Sequence, residues 1–335
     1  MKRIKKSIGI ITAAALALSL SACAQQTTVT FDTERPWHDG NASYEKLDYA
    51  VAIYDTTTST SEDKRVLIAS GALSYELKEK PPEGSPTYTT TLDMSFSVTY
   101  NETAAEADRG KTDTITSNVE FHNDSLSSSY MTKQVDLADR DGLDNLSYSL
   151  EADYFGKHIA TRVMNEKERS MSIPQSTYCD NEMMIYLARA TGISRGATTN
   201  FYLCNIFDSF LNGSLTNYTM AANADDSFQN VKLGKWIEPL VVVEEEEKKD
   251  EPETQADGDE TDPDVYELPC YRVSISINAD KHGPPYRVYY SSKDIKSDGK
   301  THKKVPVKIT YAEYTGSAQT RITEYTLTSL AFEKE

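Results

Sequence analysis

The sequence of 335 residues lacks the local signatures by which many enzymes are identified. It contains neither a Gly-x-Ser-x-Gly nucleophile elbow nor a glycine-rich loop that could cradle phosphate. Its five histidines, at positions 38, 122, 158, 282 and 302, include no His-x-x-x-His pair, so we expect no metal ion and no cofactor. An enzyme with paired carboxylates stays an alternative, because the spacing of such a pair is spatial. The sequence predicts a protein that is not an enzyme.

Positive charge is also scarce. The chain has 35 Lys and Arg residues against 52 Asp and Glu residues, a formal net charge of −17. Because phosphate binding needs a basic face, we expect no nucleic acid partner. Much of the negative charge lies in EEEEKKDEPETQADGDETDPD, residues 244 to 264. Too few apolar residues are present there to offset the ordering entropy, so we predict a disordered insertion over residues 244–265. A calcium loop is the alternative for DGDETDPD, but the ordered ligand spacing is missing.

Long apolar segments are missing after the N-terminus. The chain begins MKRIKKSIGIITAAALALSLSAC, in which basic residues precede an apolar run from Ile8 to Leu20 and the small residues Ser21 and Ala22. This order is typical of an export signal. The run is too short for a comfortable membrane span, which needs about 20 residues.

Leu20-Ser21-Ala22-Cys23 resembles the lipobox of bacterial lipoproteins. The resemblance implies cleavage between Ala22 and Cys23 and attachment of diacylglycerol to the Cys23 thiol, with acyl chains such as palmitate. Two acyl chains are enough for stable membrane anchoring. The alternative is an ordinary cleavage site followed by an incidental cysteine.

We therefore predict a signal peptide over residues 1–22, a lipidated cysteine and polar tether over 23–43, and one β-rich domain over 44–335. The predicted location is extracytoplasmic, on the outer leaflet of the cell membrane or in the outer membrane of a two-membrane organism. The membrane is the expected partner, through the lipid anchor.

Cysteine is rare, with four residues in the whole chain. If Cys23 is acylated, Cys179, Cys204 and Cys270 remain, and they can form one disulfide at most. Cys204 and Cys270 lie in strand-like runs and can act as small buried apolar residues. An oxidising envelope would permit a bridge, but we predict three reduced cysteines.

Alternation of apolar and polar residues dominates the rest of the chain. In LDMSFSVTY, residues 92 to 100, every second side chain is apolar, which predicts a strand with one buried face. The same alternation is present at Leu47, Tyr49, Val51 and Ile53, at Val273, Ile275 and Ile277, and at Val305, Val307, Ile309 and Tyr311. Turn-forming clusters separate these runs, so we expect an antiparallel meander with one covered face.

One segment, STYCDNEMMIYLARATGIS, has helical spacing instead. Met183, Met184, Leu187 and Ala190 would share a face, with Ser176 or Thr177 as the N-cap and Gly192 at the end. Such a helix can cover the apolar face of a curved sheet. Met183, Met184 and Leu187 would then line an apolar pocket; the alternative is that they only pack in the core.

Two short motifs near the C-terminus are formed by Tyr289, Tyr290, Ser291, Ser292, Asp294, Val305, Pro306, Val307 and Ile309. These motifs resemble an uncharacterised family of bacterial β-rich envelope proteins related to the LolA-like lipoprotein-carrier fold. The opening run YEKLDYAVAIYD is also similar to that family. The resemblance implies a mainly β fold: a single curved antiparallel sheet, or half-barrel, with one main amphipathic helix covering the concave face.

Two functional hypotheses follow from these features. The first is a membrane-anchored module that binds or carries an apolar small molecule or lipid in the concavity of the sheet, and it predicts an apolar cavity there. The second is a structural or protein-interaction lipoprotein of the cell envelope with a filled core, which predicts an exposed binding surface instead.

Overall fold

The computed structural model describes residues 44–57, 65–80, 89–122, 126–138, 147–155, 158–163, 169–172, 179–190, 198–204, 216–222, 228–242, 263–277, 286–297, 299–315 and 318–332. The predicted signal peptide, Cys23, the polar tether and most of the acidic insertion lie outside these ranges. Within them, no helix has the length and apolar character that a membrane crossing needs.

The described chain is mainly β, as predicted. The first strands form a long meander, β1 Tyr44–Asp55, β2 Val66–Lys80, β3 Thr89–Tyr100, β4 Thr112–His122, β5 Ser128–Asp136, β6 Tyr148–Phe155, β7 His158–Val163 and β8 Arg169–Ser172. The later strands are β9 Cys179–Asp180, β10 Thr198–Cys204, β11 Thr216–Ala222, β12 Gln229–Gly234, β13 Val265–Ile277, β14 Tyr286–Ser291, β15 Ile295–Ser297, β16 Lys300–His302, β17 Pro306–Thr315 and β18 Ala318–Ala331. Within the described ranges, the helical segments are two 3₁₀ helices, Asn181–Met183 and Lys235–Leu240, and one α-helix, α1, Met184–Ala190.

One large sheet contains almost all of the described strands, in the order β8-β7-β6-β5-β4-β3-β2-β1-β18-β17-β14-β13-β11-β10-β9, with β12 also paired to β13. All pairs in this sheet are antiparallel except β9 with β10. β1 lies in the middle of this order and pairs with β18. The first and the last strand of the described chain are therefore neighbours at the centre of the sheet. The prediction of a single antiparallel sheet is confirmed. The short β15 and β16 form a separate hairpin.

Side-chain alternation explains why these segments become strands. On β3, Leu92, Met94, Phe96, Val98 and Tyr100 are all buried, while the residues between them lie on the other face. The predicted inward set on β1, from Leu47 to Ile53, is buried as well. We call the face that carries these residues the inner face and the opposite one the outer face. Burial of large apolar side chains, each worth about 2 kcal/mol, is the main force that fixes this register.

The last predicted strand face is only partly confirmed. Val305, Val307 and Ile309 are buried, whereas Tyr311 is half-buried. The Tyr311 ring lies against the ring of Tyr286 on the neighbouring strand, with 4.7 Å between centroids. The rings of Tyr286 and Tyr311 are therefore partly exposed, although both lie on the inner face.

The predicted helix is shorter than expected, and its predicted N-cap is wrong. Asp180 is the cap of the 3₁₀ helix, because its side chain accepts a hydrogen bond from the backbone N–H of Glu182. Cys179 and Asp180 pair with β10, so the backbone is extended at these two residues and the helical segment begins after them. Ser176 and Thr177 lie outside the described residues. Among the described residues of this segment, 179–190, those from 184 to 190 are α-helical.

The sheet curves strongly enough for distant strands to meet. β9 lies at one end of the strand order, yet the Asp180 N–H donates to Ser128 Oγ of β5 at 2.9 Å. The Cys179 thiol likewise donates to the carbonyl of Leu126, just before β5, at 3.0 Å. The 3₁₀ helix Asn181–Met183 connects β9 to helix α1, which is held against the inner face, as predicted for a helix that covers a concave sheet.

Candidate functional site

The predicted apolar pocket would lie between helix α1 and the inner face. Met183 and Met184 are buried, and Leu187 belongs to α1, but its side chain is outside what the structure describes. That these three residues line a pocket stays a prediction.

Tyrosine side chains fill this space. The Tyr290 hydroxyl donates to the carbonyl of Ile185 at 2.8 Å, which links β14 to α1. Tyr75 of β2 meets Tyr186 of α1 edge to face, with 5.9 Å between ring centroids, and meets Tyr49 of β1 in the same way at 6.2 Å. All of these rings are buried. Helix and sheet are packed together here, as in a filled core.

A buried ion pair fixes the end of α1. The Arg189 guanidinium donates to Glu45 Oε1 at 2.7 Å and to the carbonyl of Lys303 at 3.2 Å. The His302 Nδ1 atom lies 3.1 Å from Glu45 Oε2, outside regular hydrogen-bond geometry, and its ring stacks on Phe332 at 3.5 Å. Burial by itself raises the pKa of Glu45, but the nearby Arg189 and His302 outweigh it and lower that pKa to about 2. The cluster therefore joins β1, α1 and the loop before β17 through a carboxylate that stays ionised.

A second buried acid lies at the other end of the helical segment. Asp180 Oδ2 accepts a hydrogen bond of 2.5 Å from the Tyr154 hydroxyl of β6. Next to it, Lys133 of β5 forms an ion pair with Glu182. Burial, and then the negative charge of Glu182, raise the pKa of Asp180 to about 7, although its hydrogen bonds and Lys133 oppose the shift. Asp180 can therefore change its protonation state in the neutral pH range.

The two cysteines whose side chains are described are separate and buried. Cys179 bonds to a carbonyl near β5, whereas the Cys270 thiol lies 3.3 Å from the carbonyl of Leu268. Burial raises the pKa of Cys270 to about 12, and burial followed by the charge of Asp180 raises the pKa of Cys179 even further. Both thiols are poor nucleophiles for that reason. The Cys204 side chain lies outside the described part, so the prediction of three reduced cysteines stays a prediction.

An open cavity lies on the outer face, on the side to which the outward-pointing residues of β3, β4, β5 and β6 project. It has a volume of about 430 Å³, and we call it the outer trough. The outward-pointing residues that line it are Asp93, Thr116, Asn118, Thr132, Gln134, Ser149 and Glu151. Four further lining residues have side chains that point to the inner face, so that only their backbone atoms form the floor of the outer trough: Met94, Ser117, Lys133 and Leu150.

Asp93 is held in place within the outer trough. The Lys78 ammonium lies 3.0 Å from Asp93 Oδ2, and the Asn118 amide donates to Asp93 Oδ1 at 2.5 Å. The carboxylate, the amide and the hydroxyl groups around them can donate and accept hydrogen bonds. No group of three or more His, Cys, Asp or Glu side chains suited to a metal ion is present in the ranges described above.

Sequence reasoning missed both buried charge clusters and the outer trough. Glu45 and Arg189 are 144 residues apart, so no local motif links them. In the sequence, the residues of the outer trough are indistinguishable from other polar residues on the solvent side of a strand. A buried arginine could have been suspected from the position of Arg189 in the apolar segment MIYLARA.

Comparisons with known proteins give no family for the chain. No protein-family model matches it, and no curated protein matches it. Among solved structures, it is similar to the crystal structure of a β-barrel-like protein of the domain of unknown function DUF1849 from Brucella abortus. That similarity has a TM-score of 0.45 at 10% sequence identity, and it covers 87% of this chain and 98% of the other.

Proposed function

We propose that this protein is an extracytoplasmic lipoprotein that binds a component of the cell envelope on the outer face of its sheet. The N-terminal export pattern and the lipobox-like sequence ending at Cys23 support membrane anchoring. A relation to the LolA-like fold is part of the same proposal and rests on the short C-terminal motifs.

The observation that carries the proposal is the contrast between the two faces. Beneath α1 the inner face is filled by tyrosines and by the Glu45–Arg189 ion pair, whereas the outer trough is open. An apolar ligand beneath α1 would have to displace buried charges and hydrogen bonds, which costs several kcal/mol. The outer trough needs no such rearrangement.

Binding to envelope material tests the proposal. The predicted mature chain, residues 23–335 with Cys23→Ala, is mixed with envelopes prepared from the native host, so that sedimentation depends neither on acyl chains nor on the apolar run from Ile8 to Leu20. We expect this chain to sediment with the envelopes and a further Thr132→Trp change, which fills the outer trough, to abolish the binding. Thr310→Trp on the outer face of β17 is the matched control and should bind normally. Absence of binding by the unfilled chain, or equal binding by both tryptophan variants, would contradict the proposal.

A lipid or apolar-ligand carrier is the second candidate. The inner face is rich in large apolar side chains. The short helix α1 lies over it and is held by the hydrogen bond from the Tyr290 hydroxyl to the Ile185 carbonyl. Displacement of α1 would expose that apolar face. Native mass spectrometry of the protein purified from its host tests this function, because a carrier should retain a co-purified lipid mass that organic extraction removes.

The anchor is tested separately. Cells that express the wild-type chain or Cys23→Ala are grown with a labelled fatty acid. We expect label in the wild-type protein and none in the variant. Equal labelling of the two would refute attachment at Cys23.

A further inference from the structure

The outer trough has the dimensions of an extended chain that crosses the strands. It spans four adjacent strands, β3 to β6, which at about 4.8 Å per strand gives a length of about 14 Å. Its two side-chain rows are two residues apart along each strand, or about 7 Å. Asp93, Asn118, Thr132 and Glu151 pair in register along one row, and Thr116 and Gln134 lie in the other.

The backbone hydrogen-bonding groups of the strands that form the outer trough already pair with neighbouring strands. β3 pairs with β2 and β4, and β6 pairs with β5 and β7, so no strand edge is open there among the described strands. A peptide therefore cannot bind by adding a strand. Any ligand must be recognised by side chains, and these are amides, hydroxyls and carboxylates at fixed spacing.

Charge and polarity disfavour two further classes of ligand. Lys78 balances the charge of Asp93, and Glu182 balances that of Lys133. Because the whole chain has a net charge of −17, it would repel an anionic polymer. An apolar ligand would leave the polar walls without hydrogen-bond partners, which is unfavourable. A neutral ligand rich in hydroxyl groups satisfies both conditions.

We infer that the outer trough binds a neutral oligosaccharide. The Asn118 amide already donates one hydrogen bond to Asp93, and the Gln134 amide donates one to Asp136. Each amide also has a second N–H and a carbonyl oxygen, and this pair of a donor and an acceptor matches neighbouring hydroxyl groups on a sugar ring. Asp93, already held by Lys78 and Asn118, supplies a fixed acceptor for a further hydroxyl. This inference rests on the proposed function and names the chemistry of its ligand.

Sugar titrations test the inference. The full-length chain, kept in a detergent without a sugar head group, is titrated by calorimetry with cellotetraose and chitotetraose, and with oligogalacturonate as the anionic probe. We expect binding of at least one neutral probe and no binding of the anionic one. Asn118→Ala and Gln134→Ala should each weaken the binding at least about tenfold. Asn230→Ala, an asparagine of β12 far from the outer trough in strand order, is the matched control and should change nothing. Thermal unfolding checks that each variant is folded, and Thr116→Trp provides a second way to block the trough.

The outcomes separate this inference from the proposed function. If no neutral probe binds while the chain still sediments with envelopes, the sugar assignment is wrong and the envelope-binding function stands. Neutral-probe binding that all the trough variants retain would overturn the site, and preference for the anionic probe would overturn the ligand class. A chain that binds neither sugars nor envelopes would refute both proposals.

Discussion

We expect Asp180 to make the stability of the protein depend on pH. Its pKa rises from an ordinary value of 3.8 to about 7 in the folded protein, so the folded state holds a proton that the unfolded state releases. The stability from this group is present below the unfolded pKa and is lost as pH rises through the folded pKa. About three pKa units at 1.36 kcal/mol each give a total loss of about 4 kcal/mol.

Replacement of Asp180 by Asn isolates this effect. The Asn side chain can still accept from the Glu182 N–H, and its amide can donate to the Tyr154 hydroxyl, but it cannot ionise. Between about pH 5.5 and 8.5, above the sequence pI near 4.8, we expect the wild type to lose about 2 kcal/mol relative to Asp180→Asn.

Urea unfolding followed by circular dichroism measures this difference at each pH. Asp153→Asn, an exposed residue on the outer face of β6, is the matched control and should shift stability equally at all pH values. If the difference between the wild type and Asp180→Asn does not change with pH, the burial argument for Asp180 is refuted.

Three further changes test the packing of the sheet and helix. Arg189→Met should lower the free energy of unfolding by about 3 to 5 kcal/mol because it removes the guanidinium that balances the buried Glu45 carboxylate. The addition of Glu45→Gln should restore part of that loss in urea unfolding. Gly71→Ala should destabilise the β2–β3 pair, since an added Cβ would lie 1.9 Å from a backbone oxygen of the next strand, whereas the exposed neighbour change Ala72→Ser should have little effect; thermal unfolding compares the two. Tyr290→Phe should cost about 1 kcal/mol in urea unfolding through loss of its bond to α1, and no measurable loss would contradict that bond.

The sheet could be predicted because each strand is marked by an alternation of apolar and polar residues within its own short segment. Alternation along β1 and β3 reports burial directly, and the buried positions are those that the sequence pattern selects. The position of a helix after residue 180 also follows from local spacing. The start of that helix did not, because the pairing of Cys179 and Asp180 with β10 is a long-range contact that overrides the capping preference of Ser176 and Thr177.

The candidate sites could not be predicted for the same physical reason. Glu45 and Arg189 meet only because the curved sheet brings the start of β1 to the end of α1. Thr116 and Gln134 are ordinary outward residues in sequence, and they form one surface only when β4 and β5 pair in their observed register. The function of such residues depends on tertiary geometry that no single segment contains.

Site-specific photo-crosslinking in living cells tests the central claim, that the outer face of β3 to β6 is the binding surface. A photoreactive phenylalanine analogue is placed at Thr132 in the outer trough or at Thr310 on the outer face of β17. We predict that irradiation links the chain to envelope material from position 132 and not from position 310. Equal adducts from the two positions, or none from position 132, would contradict this account of the protein.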